Sequence, residues 1–247
     1  VRLIRKDNPF PSACAYVCEH PCEAQCRRRM VDDAVNICGL KRFAVDHAAP
    51  AAPPERAADT GKTVAVIGGG PGGMTAAYYL SLMGHQVTVY EQRPKLGGML
   101  RYGIPDYRLP QEILDRDIDH ILSAGVRVHT GVSIGRDLTM EDIQKSFDAV
   151  YIAIGAHNDK KLGLEGEDSQ NVISAVELLR GIGEGQVPDF TGKKVCVIGG
   201  GNVSMDATRT ALRLGADSVT CVYRRRVEDM TALSEEIEEA MAEGCQI

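Results

Sequence analysis

A short glycine-rich string occurs twice in this chain of 247 residues. "VAVIGGG" begins at Val64 and "VCVIGGG" begins at Val195, and each leads through a helical pattern to a second apolar run, "VTVYE" or "VTCVY". An apolar β-branched run, a glycine turn, a helix and a further strand are the parts of a parallel βαβ unit. The repeat therefore predicts an α/β chain with two Rossmann-like dinucleotide-binding units.

The first glycine turn has the spacing G-x-G-x-x-G. In this pattern one glycine makes the tight turn, one lets the backbone approach a pyrophosphate, and one lets the helix pack on the strand. Glu91 ends the next strand and is predicted to accept hydrogen bonds from adenosine ribose hydroxyls. Glycines that serve packing alone are the alternative. The predicted nucleotide-binding residues of this turn are Gly68, Gly69, Gly70, Pro71, Gly72 and Gly73.

The second glycine turn repeats the first with one change, because Ser204 stands where the third glycine would be. Its predicted nucleotide-binding residues are Gly199, Gly200, Gly201, Asn202, Val203 and Ser204. Serine is small, so the helix can still approach the turn. We expect a second nucleotide site here.

The residue at the end of the second strand differs in charge between the two units. Aligning Tyr90 with Tyr223 places Arg224 where Glu91 stands, and Arg225 and a further arginine follow. A carboxylate would repel a 2′-phosphate, whereas guanidinium groups form charge-assisted bonds to it. The second unit is therefore predicted to prefer NADP(H), with Arg224 and Arg225 in contact. A solvated basic stretch is the alternative.

Two dinucleotide sites in one chain make sense if one holds FAD and the other holds the nicotinamide that reduces it. The stretch "KLGGMLRYGIP" fits a flavin site, because Gly97 and Gly98 let the backbone run close to a flat ring, with Met99 beside them. Arg108 could face the pyrophosphate. Structural turns would also explain the two glycines, and a surface salt bridge explains Arg108 nearly as well.

Four cysteines lie within "CAYVCEHPCEAQC", residues 14–26. On one helix the outer sulfurs would be about 18 Å apart, too far to share a metal centre, and Pro21 lacks the N–H of a helix interior. We therefore expect largely a loop that can gather Cys14, Cys18, Cys22 and Cys26. Thiolates suit iron–sulfur clusters and zinc alike.

The other four cysteines, Cys38, Cys196, Cys221 and Cys245, are predicted to be buried small apolar residues. No glycine pair in the sequence is followed by two cysteines at the C-x-x-C or C-x4-C spacing of a redox-active dithiol.

Composition shifts predict the domain organisation. Residues 1–48 are expected to form a small helical cysteine-bearing segment that precedes the two Rossmann-like units and closes on a short helix. The stretch "AAPAAPPERAADTG" around residues 49–60 is a stiff linker. Residues 61–160 then form a partial FAD-binding domain and residues 161–247 a partial NADP-binding domain. Because the sequence starts with valine and stops after a helical pattern, the chain is expected to be cut at both ends.

The charge of the chain excludes some partners. A formal net charge of −6 offers no basic surface for nucleic acid or anionic lipid. The uncharged run from Thr63 to Gly84 is interrupted by glycines and is not a membrane span. Without a signal peptide at the start, the cysteines indicate a reducing compartment, and we expect a cytoplasmic protein.

The chain resembles the small (beta) subunit of NADPH-dependent glutamate synthase and its relatives. These relatives include the amino-terminal part of dihydropyrimidine dehydrogenase and the large subunit of electron-bifurcating ferredoxin:NADP transhydrogenase. The resemblance covers essentially the whole chain and is carried by "NPFPSACAYVCEHPCEAQC", "VIGGGPGGMTAAYYL", "GGMLRYGIPDYRLP" and "VIGGGNVSMDATRTALRLGADSVTCVYRRR".

The resemblance implies 4Fe-4S clusters held by Cys14, Cys18, Cys22 and Cys26, with FAD in the first unit and NADP(H) in the second. In the family two clusters share ligands from this block and from an upstream cysteine group that this sequence does not contain.

The function predicted from these features is an oxidoreductase subunit that passes electrons between NADP(H), FAD and iron–sulfur clusters to a partner subunit. The cofactors carry the chemistry, so no catalytic side chain is assigned. One alternative keeps the family but changes the output, for example to bifurcating transhydrogenation. The other is a zinc-stabilised nucleotide-sensing module without a redox role.

Overall fold

A computed structural model describes residues 1–247, and the chain divides into two compact units. The first unit contains residues 1–101 and 106–156, and the second contains residues 102–105 and 157–247. The finer domain division predicted from the sequence stays a prediction. The helices are α1 (Pro11–Tyr16), α2 (Pro21–Ala24), α3 (Ile37–Asp46), α4 (Pro71–Leu82), α5 (Met99–Tyr102), α6 (Gln111–Leu122), α7 (Met140–Ser146), α8 (Ala175–Gly183), α9 (Asn202–Arg213) and α10 (Ser234–Ala242).

The first unit contains a parallel sheet of four strands. They are β1 (Thr63–Ile67), β2 (Gln86–Glu91), β3 (Arg127–Thr130) and β4 (Ala149–Ile152), in the order β3-β2-β1-β4. The central strands are β-branched and buried, as expected of a sheet covered on both faces. The βαβ unit predicted from the first glycine string is confirmed.

Residues 14–26 contain two helical stretches where the sequence predicted largely a loop. Cys14 lies in α1 and Cys22 lies in α2, and Cys26 precedes a 3₁₀ turn at Arg27–Met30. The prediction was wrong because Pro21 occupies the first position of α2, where a missing N–H costs nothing. The exclusion of one continuous helix is confirmed, since residues 17–20 separate α1 from α2.

Asp117 joins the cysteine segment to the first unit's helix α6. Its side chain is fully buried, and its carboxylate accepts hydrogen bonds from Ser12 N (2.8 Å), Ser12 Oγ (2.9 Å) and Ala13 N (3.0 Å). Burial raises the pKa of Asp117, and the bonds from Ala13 and Ser12 act in the opposite direction. The carboxylate thus satisfies backbone donors at the start of α1, which have no partner within the helix.

The second unit is built around two parallel strands, β5 (Lys194–Ile198) and β6 (Ser218–Val222). Helices α9 and α10 are joined by Arg209, which is 5% exposed and bonds to Glu236 (3.0 Å) and Glu243 (2.9 Å). The predicted second βαβ unit is confirmed, and so is the fold class of two Rossmann-like units with a helical cysteine segment before them.

The prediction that the remaining cysteines are buried holds for two of them. Cys221 and Cys245 belong to the core of the second unit, and burial raises the pKa of the Cys221 thiol to about 11. Cys38 is half-buried and Cys196 is exposed, which contradicts the prediction. Cys196 shares its face of β5 with Lys194 and Ile198, which are also exposed.

Every helix of the chain is too short or too polar to span a bilayer.

Replacing Asp117 with alanine tests the junction between α1 and α6. We expect Asp117→Ala to lower the free energy of unfolding by roughly 3 kcal/mol, because three buried donors lose their acceptor. Amide exchange at Ser12 and Ala13 should accelerate. The matched control is Asp119→Ala, at an exposed position of the same helix, which should change stability by less than about 0.5 kcal/mol. Equal effects of the two substitutions would contradict the assignment.

Candidate functional site

The first glycine turn brings β1 and α4 into direct contact. Gly68 has a φ of +110° and donates its N–H to Tyr90 O at 2.8 Å. A Cβ atom added at Gly73 would lie only 1.9 Å from Gly68 O, so this position of α4 has no room for a side chain. Gly70 precedes α4 without a side-chain cap. The amides at the start of α4 therefore have the exposure that a phosphate needs.

Glu91 supports this turn from the end of β2. Its Oε2 accepts from Gly69 N at 2.7 Å and its Oε1 accepts from Arg93 N at 2.8 Å, and the residue is 6% exposed. A carboxylate oxygen has a second lone pair, so each atom can still accept a ribose hydroxyl. The predicted ribose contact stays a prediction, and the structure adds a bracing role that sequence reasoning missed.

Gly97 and Gly98 pack against the first glycine turn. Both have positive φ, at +122° and +53°, and Gly97 N donates to Gly69 O at 2.8 Å. A Cβ atom added at Gly98 would lie 2.6 Å from Gly70 Cα. Close contact with the turn backbone thus explains Gly98 without a flavin ring, and the positive φ of Gly97, with Arg101 and Leu114 side chains 3.0 Å from its Cβ position, explains Gly97. Their contact with a flavin, and that of Met99 and Arg108, which are both half-buried, stays a prediction.

Arg101 is a buried charge that the sequence analysis did not identify. It is 3% exposed, and its guanidinium donates to Leu96 O at 2.5 Å and also bonds to Gln111 and Asp115 of α6. These bonds fix the stretch around Gly97 to α6. The available signal was an arginine inside the otherwise apolar "GGMLRYG".

The second glycine turn has the same form. Gly199 has a φ of +144° and donates to Val222 O at 3.0 Å, and Ser204 Oγ lies 2.3 Å from where a Gly199 Cβ would be. Ser204 is half-buried and Val203 is exposed. The side chain of Ser204 therefore fills space at a position where the first turn has Gly73, which carries only a hydrogen atom.

A segment after β6 is hydrogen-bonded to the second turn. Gly200 O accepts from Thr231 N at 2.9 Å and from Ala232 N at 3.0 Å. Asn202 Oδ1 accepts from Leu233 N at 3.0 Å. This contact was not predicted, because residues thirty positions apart carried no common pattern.

The arginines after β6 have different surroundings. Arg224 and Arg225 are exposed at the end of the strand. Arg226 is exposed too, but its Nε lies 3.3 Å from Asp229 Oδ2 and 4.0 Å from Glu228 Oε2. Arg226 is thus paired with neighbouring carboxylates, which leaves Arg224 and Arg225 as the arginines better placed to bind a phosphate.

Three of the four block cysteines have N–H donors at their sulfur. Cys14 Sγ accepts from Asn8 Nδ2 at 3.0 Å, and Cys18 Sγ accepts from His20 N at 3.4 Å. Backbone N–H groups, that of Val35 first, lower the pKa of the Cys26 thiol. Cys22 is exposed, and all four thiols are free. Donors of this kind stabilise thiolate, the form that iron and zinc bind.

The four sulfurs do not converge on one point. No group of three or more histidine, cysteine or acidic side chains has an arrangement that could hold a metal ion. Four thiols with N–H donors at three of the sulfurs are chemically suited to iron–sulfur ligation. The predicted gathering of all four thiols around one centre stays a prediction.

A cavity of about 500 Å³ separates the cysteine segment from the first glycine turn. Asn8 and Cys14 line one side, and Pro71, Gly72 and Thr75 of α4 line another. Both predicted sites of the first unit thus border one open space.

A duplicated glycine turn and a thiol-bearing segment define a nucleotide-dependent redox protein. The sequence matches the pyridine nucleotide-disulphide oxidoreductase family over residues 62–246, and the chain belongs to this family. Residues 1–52 match the family described as dihydropyrimidine dehydrogenase domain II, 4Fe-4S cluster. The predictions of the family and of a 4Fe-4S segment are confirmed.

Individual relatives agree with this assignment. The chain is 45% identical to the NADPH-Fe(3+) oxidoreductase subunit beta of Geobacter sulfurreducens, over 98% of this chain and 37% of the relative. It is 34% identical to the glutamate synthase (NADPH) small chain of Escherichia coli, over 99% of this chain and 55% of the relative. The chain thus spans about half or less of these relatives.

Among solved structures, FprA from Mycobacterium tuberculosis in complex with NADPH has a similar fold. The TM-score is 0.62 at 25% identity, over 74% of this chain and 48% of that chain. The similarity supports the two-unit nucleotide-binding fold.

Alanine substitutions at two adjacent glycines test the geometry of the first turn. We expect Gly73→Ala to lower the free energy of unfolding by more than about 2 kcal/mol, because its methyl group would overlap Gly68 O. Gly72→Ala is the matched control, since a Cβ atom there meets nothing within 4 Å, and alanine favours the helix by about 1 kcal/mol. Denaturant unfolding measures both. A tolerated Gly73→Ala would refute the close contact.

Proposed function

We propose that this chain is the electron-entry part of an NADPH-dependent flavoprotein oxidoreductase, with FAD at the first glycine turn and NADP(H) at the second. The observation that carries the proposal is the pair of similar turns followed by opposite charges, Glu91 in one unit and Arg224 in the other. A flavin held at Gly68, Gly70 and Glu91 would supply the chemistry that converts a hydride from NADPH into single electrons for an iron–sulfur centre.

The residues of the first turn support binding of FAD. The uncapped start of α4 presents backbone amides to a pyrophosphate, and the absence of side chains at Gly68 and Gly70 lets it approach. The carboxylate of Glu91 suits a nucleotide that has free ribose hydroxyls. The same carboxylate would repel a 2′-phosphate, which disfavours NADP(H) at this turn.

The second turn has the features that NADP(H) requires. The start of α9 is also free of a side-chain cap, and Arg224 and Arg225 place two guanidinium groups after β6. Positive charge there stabilises the 2′-phosphate by charge-assisted hydrogen bonds.

The thiols of the cysteine segment supply ligands for the electron-accepting centre. N–H donors lie at the sulfurs of Cys14, Cys18 and Cys26, and such donors can also bond to the sulfur of a cysteine that ligates iron. Because relatives are described as subunits, we further propose that the electrons pass to a partner subunit. Eight free cysteines are consistent with a cytoplasmic location, which we also propose.

Neutralising single arginines tests the NADP(H) assignment. In the full-length enzyme we expect Arg224→Gln to lower kcat/KM for NADPH about tenfold, the scale of one bond to a charged group, and to leave kcat/KM for NADH unchanged. The matched control, Arg226→Gln, removes the same charge two positions away, from an arginine that is paired with Asp229. Unchanged NADPH preference in Arg224→Gln would refute the assignment.

Metal and sulfide analysis tests the cysteine assignment. The full-length protein purified without oxygen should contain iron, acid-labile sulfide and flavin, and should absorb broadly in the visible range. We expect Cys26→Ser to lose iron and sulfide, whereas Cys38→Ser, a half-buried thiol of the same segment, should retain them. Zinc in place of iron would favour the nucleotide-sensing alternative and refute the redox role.

A further inference from the structure

Asn8 holds its side-chain amide in one orientation beside a cysteine sulfur. Its Oδ1 accepts from Phe10 N at 2.8 Å, and its Nδ2 donates to Cys14 Sγ at 3.0 Å. A backbone N–H only donates, so the amide oxygen must face Phe10, and the NH₂ group must face the sulfur. The side-chain amide of Asn8 therefore donates a hydrogen bond to the sulfur of Cys14.

The local sequence fixes this amide in place. The bond from Phe10 N closes a turn over the side chain of Asn8, and the ring of Pro9 between them restricts the backbone. Asn8 N also donates to Ile4 O at 2.9 Å. Asn8 is half-buried and Pro9 and Phe10 are buried, so the turn that holds the amide is packed against the protein.

The sulfur that receives this bond lies on the cavity wall. Asn8 and Cys14 line the same cavity as Pro71 and Gly72, which begin α4 after the first glycine turn. Among the thiols of the segment, Cys14 is therefore the one that shares an open space with the predicted flavin-binding turn.

We propose that Asn8 raises the reduction potential of the iron–sulfur centre ligated by Cys14; this inference rests on the proposed function. Reduction adds one electron to the centre, taken from the reduced flavin, and no bond to the protein forms or breaks. The added charge is shared by the ligand sulfurs, and an N–H donor at sulfur stabilises it. Asn8 is thus a positioning and tuning residue, which makes the centre a better electron acceptor.

The test compares two substitutions of Asn8 in the full-length, anaerobically purified protein. Asn8→Asp retains an oxygen for Phe10 N but replaces the donor to Cys14 by a negative oxygen. Asn8→Ser retains a short acceptor for the turn, and because its side chain is one atom shorter than the amide, its hydroxyl does not reach Cys14 Sγ to replace the donor. The readout is the midpoint potential of the centre, measured by electron paramagnetic resonance during a redox titration, with iron, sulfide and flavin content measured in the same samples.

The matched control is Asn36→Asp in the same segment. Asn36 also accepts a backbone N–H through its side-chain oxygen, from Gly39 N at 2.6 Å, and the substitution adds the same charge. It leaves the bond between Asn8 and Cys14 in place. A general effect of negative charge on the segment would therefore appear in this variant as well.

We expect Asn8→Ser to shift the potential to more negative values by the equivalent of about tenfold in the equilibrium constant for reduction, the scale of one bond to a charged group. Asn8→Asp should shift the potential further, and Asn36→Asp should have the same midpoint potential as the unmodified protein. Unmoved potentials in both Asn8 variants, or an equal shift in Asn36→Asp, would overturn the inference.

If Asn8→Asp does not retain iron and sulfide, the neutral Asn8→Ser variant decides the question alone. Unmodified protein that contains flavin but neither iron nor sulfide would refute the proposed function together with this inference. A centre that is present but has an unchanged potential in Asn8→Ser would refute only the role of Asn8.

Discussion

The contact between Gly73 and the carbonyl oxygen of Gly68 determines the shape of the first nucleotide-binding unit. A methyl group at Gly73 would come within 1.9 Å of that oxygen, so α4 can lie this close to the end of β1 only with glycine. The second unit has Ser204 at the corresponding position, and its hydroxyl fills the space beside Gly199 that a side chain there would need. One strand-to-helix contact, used twice, thus prepares two phosphate-binding helix ends in a single chain.

The second constraint is the carboxylate of Asp117. By accepting from Ser12 and Ala13 it fixes the start of α1 on α6, and α1 in turn carries Cys14. The cysteine segment is therefore part of the first compact unit, not a separate attachment. This placement gives Cys14 and the start of α4 a common cavity, so that the two proposed cofactor sites lie next to each other.

The sequence predicted what local patterns encode. Both βαβ units and the family followed from glycine spacing, apolar runs and the cysteine block. The structural role of Asp117 was missed, although an aspartate on the apolar face of α6 was a visible signal. The helical turn at Pro21 was also missed, because a proline that breaks one helix can begin another. Partners distant in the chain, such as Gly200 with Thr231, have no local pattern.

The central claim is that two copies of one turn bind different redox nucleotides because the residue after the second strand differs in charge. A crystal structure of the full-length protein with bound FAD, soaked with NADPH without oxygen, tests it most directly. We expect the flavin pyrophosphate at the amides of Gly70 to Gly73 and the NADPH 2′-phosphate against Arg224. NADPH at the first turn, or a 2′-phosphate directed away from Arg224, would contradict the claim.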